Sequence, residues 1–178
     1  LLRIGIRGRD ISLAEMKPSN LVFLIDVSGS MGSENRLPLA KKALHRLLDS
    51  LRPTDTVAIQ TYANKSERVL GPTPASERAK IAAAIDGLRA DGATYGEGGI
   101  VAAYDMAEEA FIPEGNNRVI IFTDGDFNVG KQDEDIVEII QSYREREITL
   151  TAVGFGRGGY NDRMMEHIAR VGNGNYFY

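Results

Sequence analysis

The chain has 178 residues, with 25 acidic side chains against 21 basic ones, a net charge of −4 and no cysteine. That length suits one domain able to bury about 70% of the surface its unfolded chain exposes. The acidic balance offers no positive field to nucleic acid or anionic lipid, and the lack of thiols excludes disulfides, thiol catalysis and thiolate metal sites, leaving oxygen and two histidines as ligands.

The N-terminal run Leu2-Arg3-Ile4-Gly5-Ile6-Arg7-Gly8 alternates apolar with small or basic residues, the period of a half-exposed flanking strand. Residues 1–18 are therefore expected to be a flanking strand and linker. Leu21-Val22-Phe23-Leu24-Ile25 is apolar at every position, as in a central parallel strand covered on both faces. It ends in Asp26-Val27-Ser28-Gly29-Ser30, three oxygen-bearing side chains at alternate positions. Leaving such groups buried without partners costs about 1–3 kcal/mol each, so something must satisfy them, and a hard divalent cation is the natural candidate.

Pro38 marks the first turn of a helix whose Leu37, Ala40, Leu44, Leu47 and Leu51 fall on one stripe. Residues 56–62 read as a second strand, with 67–70 its short hairpin partner. Pro72 and Pro74 then lead to Ser76 as the N-cap of a helix with Ile81, Ala84, Ile85 and Leu88 inward. After the loop Asp91-Gly92-Ala93-Thr94-Tyr95-Gly96, a helix is expected from about Gly98 to Phe111. Val119-Ile120-Ile121-Phe122-Thr123 is a second uninterrupted strand, and it too ends in an acid, Asp124. Asp133, Glu134 and Asp135 suit the positive start of a helix with Ile136, Ile140 and Tyr143 inward. Residues 148–153 form a further strand. Asn161 or Asp162 can cap a last helix holding Met165, Ile168 and Ala169, and Tyr176-Phe177-Tyr178 begins a final strand.

This β/α alternation implies an α/β fold: a doubly wound, mostly parallel sheet flanked by helices on both faces, in one domain over 1–178. Ligands of such sheets bind beyond the carboxyl ends of the strands, where Asp26, Asp124 and the loop bearing Thr94 can meet. No apolar run approaches the roughly 20 residues of a membrane helix, so no membrane insertion is expected of this segment. Both ends read as boundaries cut from a longer protein.

Phe23-Leu24-Ile25-Asp26-Val27-Ser28-Gly29-Ser30-Met31, Gly92-Ala93-Thr94 and Phe122-Thr123-Asp124-Gly125 stand in the order and at the intervals of the von Willebrand factor type A domain, which the chain resembles from Ser19 onward. Asp126-Phe127-Asn128-Val129-Gly130 and Gly172-Asn173-Gly174-Asn175-Tyr176 resemble bacterial envelope members most, which would place the protein at the cell envelope or in the periplasm. The resemblance implies a Rossmann-like fold and a metal-ion-dependent adhesion site. Ser28, Ser30 and Thr94 would bind the ion directly, and Asp26 and Asp124 directly or through water. Hydroxyl, carboxylate and water oxygens suit Mg²⁺, with Mn²⁺ or Ca²⁺ as substitutes. The implied function is non-enzymatic recognition of a protein partner whose Asp or Glu carboxylate completes the metal shell, by a domain expected to be monomeric.

Other readings of the same residues are open to test. Ser28 and Ser30 could simply cap a turn. Asp26 could be the nucleophile of a phosphohydrolase of haloacid-dehalogenase type, although the second acid of such enzymes is replaced by Ser28. The metal could only tie loops together in a structural spacer. Two phosphate-loop look-alikes are set aside: residues 125–132 end in Gln132 where a Mg²⁺-binding hydroxyl belongs, and the glycine pattern of 154–159 has no acid about 20 residues on. His45 and His167 fall on or beside helix faces without a nucleophile in a recognisable arrangement.

Overall fold

The apolar run 21–25 forms the heart of strand β1 (Ser19–Asp26), in which every residue after Ser19 is buried. A strand shielded on both faces needs no polar alternation, which is why this segment lacks one. The computed structural model describes residues 16–92, 97–125, 133–156 and 162–178. After β1 come α1 (Leu37–Ser50), β2 (Thr56–Tyr62), β3 (Ser66–Pro74), α2 (Arg78–Gly87) and α3 (Glu97–Glu109). They are followed by β4 (Asn116–Thr123), α4 (Asp133–Glu145), β5 (Ile148–Gly154), α5 (Asp162–Val171) and β6 (Tyr176–Phe177).

Among the described residues six strands make one sheet in the order β3-β2-β1-β4-β5-β6. All neighbours are parallel except β2 and β3, which form the expected antiparallel hairpin. The chain steps from β1 outward to β2 and later returns to β4 on the other side of β1. Two crossovers of one hand that travel in opposite directions must put their helices on opposite faces. Accordingly Leu37, Ala40, Leu44 and Leu48 of α1 pack with Ile81 and Ile85 of α2 over Phe23, Ile25 and Ile59. The other face carries Ile100 and Tyr104 of α3, Ile136 and Ile140 of α4, and Met165 and Ile168 of α5 over Val22, Leu24 and Ile121. The doubly wound reading therefore holds, and its reversal point lies between β1 and β4.

Several local expectations need correction. In the last turn of α1 Leu48 is buried more fully than the expected Leu47, which packs against the same core only partly buried, as does Leu51, beyond the helix as its C-cap. The hairpin partner is longer than 67–70: β3 runs on through Pro72 to Pro74. As the edge strand it has no neighbour on one side, so a missing N–H costs no ladder bond there. Ser76 does not cap α2; Glu77 holds that position without a side-chain cap, and Ala84 is only half-buried. Helix α3 stops at Glu109, leaving Phe111 packed against the core from the following loop. The strand expected over residues 2–8, Thr94, the candidate cap Asn161 and much of both phosphate-loop look-alikes lie outside the described residues.

Candidate metal centre

Parallel register sets Ile25 opposite Phe122, so Asp26 and the pair Thr123-Asp124 leave the sheet at the same level. This is the carboxyl end of the strands at the reversal point, where backbone loops diverge and leave a crevice.

Asp26 is wholly buried. Its Oδ1 accepts the backbone N–H of Ser28 at 2.8 Å, and its Oδ2 accepts the hydroxyls of Tyr62 at 3.3 Å and Thr123 at 3.2 Å. All three donors are neutral. Burial raises its pKa above the usual 3.8, the bonds from Ser28 and Thr123 only partly offset that, and the negative charge of Asp124 adds to the rise. Tyr62 is buried too, and burial together with the Asp26 charge holds its phenol far above the usual range, so it stays a donor.

The loop after Asp26 is fixed from below and from the side. Met31, fully buried, plugs the short 3₁₀ turn Gly29–Gly32 into the core, and its N–H donates to Ser28 O at 2.9 Å. Gly29 N–H donates to Gly92 O at 2.9 Å and Asp91 N–H to Val27 O at 2.8 Å. The loop that carries Thr94 is thus tied to the Ser28 loop as far as Gly92; Thr94 itself is outside the described residues. Gly92 has φ 87°, a conformation that L side chains rarely adopt, and a Cβ there would also displace the Asn64 amide, 2.2 Å away at Nδ2, so glycine is strongly favoured.

Ser28 occupies the N-cap of the 3₁₀ turn, yet its side chain makes no capping bond. That removes the simple capping reading for Ser28. Its Oγ lies instead 3.0 Å from Ser30 Oγ. Two neighbouring vertices of an octahedron with bonds of about 2.1 Å, the geometry Mg²⁺ prefers, are separated by roughly 3.0 Å. The 3.0 Å separation is that of a hydrogen bond between the two hydroxyls, and it is also compatible with two ligands of a single ion.

Asp124 completes the described set. Its Oδ2 accepts Arg36 Nη1 at 2.7 Å, while Oδ1 is buried and has no hydrogen-bond partner among the described residues. Arg36 Nη1 also donates to Ser30 O at 2.7 Å, which joins the two loops across the crevice. A buried carboxylate oxygen without a donor is costly unless a cation faces it. The donor set thus fits a hard divalent ion: two hydroxyls and two carboxylates, one of which, Asp124, has an oxygen without a described donor.

Three of the residues that shape this crevice are not evident from sequence. Tyr62 and Thr123 look like ordinary strand ends, and only the register turns them toward Asp26. Arg36 carries a signal that could have found it: a cation just before a helix stands at the positive end of the dipole, where acids are usual. The two histidines are helix-surface groups, His45 meeting Asp86 at 2.9 Å across α1 and α2, and His167 meeting Arg170 at 3.2 Å.

The family model of the von Willebrand factor type A domain matches residues 20–178. The uncharacterized protein YfbK of Escherichia coli is 47% identical over 179 residues, an alignment covering 100% of this chain and 31% of that protein. Among solved structures, a von Willebrand factor type A protein from Catenulispora acidiphila superposes with a TM-score of 0.78 at 23% identity, covering 91% of this chain and 39% of that one. Proximal thread matrix protein 1 from the mussel byssus, solved with zinc in its metal-ion-dependent adhesion motif, superposes with a TM-score of 0.71 at 22% identity, covering 91% of this chain and 41% of that one.

Proposed function

The chain belongs to the von Willebrand factor type A family, and from that premise we propose that it is a non-enzymatic module that binds a protein partner through a divalent ion. Ser28, Ser30 and Asp124 would hold the ion, with Thr94 from the neighbouring loop. Asp26, whose oxygens already accept three bonds, would reach it through water. Mg²⁺ suits these oxygens best, and Mn²⁺ can replace it. The observation that carries this reading is the buried Oδ1 of Asp124, without a hydrogen-bond partner among the described residues, on a carboxylate that Arg36 Nη1 joins to the Ser28–Ser30 loop through Ser30 O.

When bound, the ion would supply a Lewis-acidic coordination position for an oxygen anion. The chain's own residues set what fills it. Asp26 and Asp124 cancel a double positive charge and Arg36 on Asp124 adds one more, so a partner's Asp or Glu carboxylate can complete the shell and bring the site to neutrality. No serine, cysteine or histidine nucleophile-and-base pair accompanies the site among the described residues, and Ser28 stands where a phosphohydrolase would need its second acid. Because the alignment with YfbK covers 31% of that protein, we place this module within a longer protein whose other parts present it.

Calorimetric titration with Mg²⁺ tests the reading. Saturable binding is expected at millimolar metal in the wild type and its loss in Asp26→Ala; absence of binding, or equal binding by the variant, removes the reading. Turnover of phosphate esters abolished by Asp26→Asn would replace it with hydrolysis. Metal-dependent thermal stabilisation without metal-dependent capture of carboxylate-bearing peptides would reduce the site to a loop tie.

A further inference from the structure

We propose that Arg36 is a built-in competitor of the divalent ion: it neutralises Asp124 when no metal is bound and weakens metal binding when metal arrives. The inference rests on the metal reading above and goes beyond it, because it fixes the sign of one residue's effect.

Arg36 has no local reason to be where it is. It occupies the N-cap position of α1 and makes no side-chain cap, and a cation there opposes the helix dipole. Its guanidinium instead spans two loops, with Nη1 on Asp124 Oδ2 and on Ser30 O, both at 2.7 Å. The loop after β5 is shaped around the same side chain. Gly156 has φ 115°, and a Cβ there would press on Arg36 Nε at 3.0 Å. Three segments that surround the crevice therefore accommodate one arginine.

Arginine keeps its charge at every working pH. Asp124 is 3% exposed and Arg36 26%, so solvent screens the pair incompletely. Two consequences follow from that single geometry. Without metal, the guanidinium is the counter-charge of a buried carboxylate, and removing it strands the anion. With metal, the same guanidinium is a third positive charge beside a doubly charged ion that shares its carboxylate, and like charges at such range repel. The two carboxylates cancel the ion, Arg36 remains, and the site keeps a net positive charge that an anionic partner would neutralise.

A rival role exists and has the opposite sign. Groups that bond a metal-ligating carboxylate often orient it, and their loss typically costs ten- to a hundredfold in metal affinity. The ion pair and the orienting role share one geometry, so the sign of the mutational effect decides between them.

The experiment compares wild type, Arg36→Gln and Arg36→Lys by calorimetric titration with Mn²⁺ alone and by thermal unfolding in chelator and in saturating Mn²⁺. Arg36→Gln should bind Mn²⁺ about tenfold more tightly than wild type, since one charge of repulsion is gone. It should melt below wild type in chelator, with the gap closing in saturating Mn²⁺. Arg36→Lys keeps the charge and should stay within about twofold of wild-type affinity. Equal or weaker binding by Arg36→Gln, or a melting gap that persists or widens with Mn²⁺, overturns the inference and leaves the metal reading intact. If the wild type takes up no Mn²⁺, both fall together.

Discussion

Two buried aspartates stand at opposite ends of β1, and the chain treats them differently. At the amino end Asp55, 3% exposed, accepts the backbone N–H groups of Ser19 and Arg52, each at 2.8 Å, and the Arg52 guanidinium at 2.8 Å through Nη2. Burial pushes its pKa up, but the bonds from Arg52 and Ser19 outweigh that, and the net shift is downward. At the carboxyl end Asp26 is fully buried with neutral donors only, and burial wins: its pKa is raised. Asp124 next to it has Arg36 on one oxygen and no described donor on the other. One end of the sheet is finished by the chain itself; the other holds more negative charge than the described donors settle. That contrast separates a structural acid from a ligand-seeking one more sharply than burial does.

Removing the acid at the amino end should give the largest effect on the fold. Asp55→Ala removes the anion facing the Arg52 guanidinium, which keeps its bonds to Met16 O and Lys17 O at the entry to β1, and takes the shared acceptor from the N–H groups of Ser19 and Arg52. A loss of about 3–5 kcal/mol is expected, read as a urea midpoint shift at unchanged m, with metal affinity within about twofold of wild type. A variant that keeps its stability but loses metal would break the comparison.

The pH dependence of the two acids should be smaller and opposite in sign. Asp55 titrates lower in the fold than unfolded, so its contribution is present above the unfolded value and lost as pH falls through the folded one. Asp26 titrates higher in the fold, so the folded state holds an extra proton just above the usual 3.8, and stability falls as pH rises through that window up to the folded value. In chelator, wild type should therefore lose stability relative to Asp26→Asn as pH rises from about 4, with a slope of at most about 1.4 kcal/mol per pH unit. Urea titrations across that range check it; a wild type that gains on the variant as pH rises would contradict the assignment.

Much of this contrast is legible in the amino-acid sequence. The strand ends at Asp26 and Asp124 were legible because a continuous apolar run has no packing reason to stop on an acid, and two such runs fixed both the sheet and the crevice. The inward residues of α4 and α5 followed from helical spacing alone and are buried as expected. What sequence hid were relations across distance. Nothing local links Arg36 to an acid 88 positions on, or directs Tyr62 and Thr123 at one carboxylate; parallel register does that. The extension of β3 through two prolines was missed because proline's cost depends on whether the strand has a neighbour on that side. Leu47 and Leu48 are a single helical step apart, and which one is buried more fully is set by how the helix is rolled.

The most direct test of the central claim is a crystal structure of the protein soaked in millimolar Mn²⁺, with anomalous scattering to place the ion. The expected result is one strong peak in contact with Ser28 Oγ and Ser30 Oγ, faced by Asp124 Oδ1, with Thr94 drawn toward it and an open position turned outward. No peak in the crevice, or a peak held elsewhere while the Ser28–Ser30 contact persists, would contradict the account.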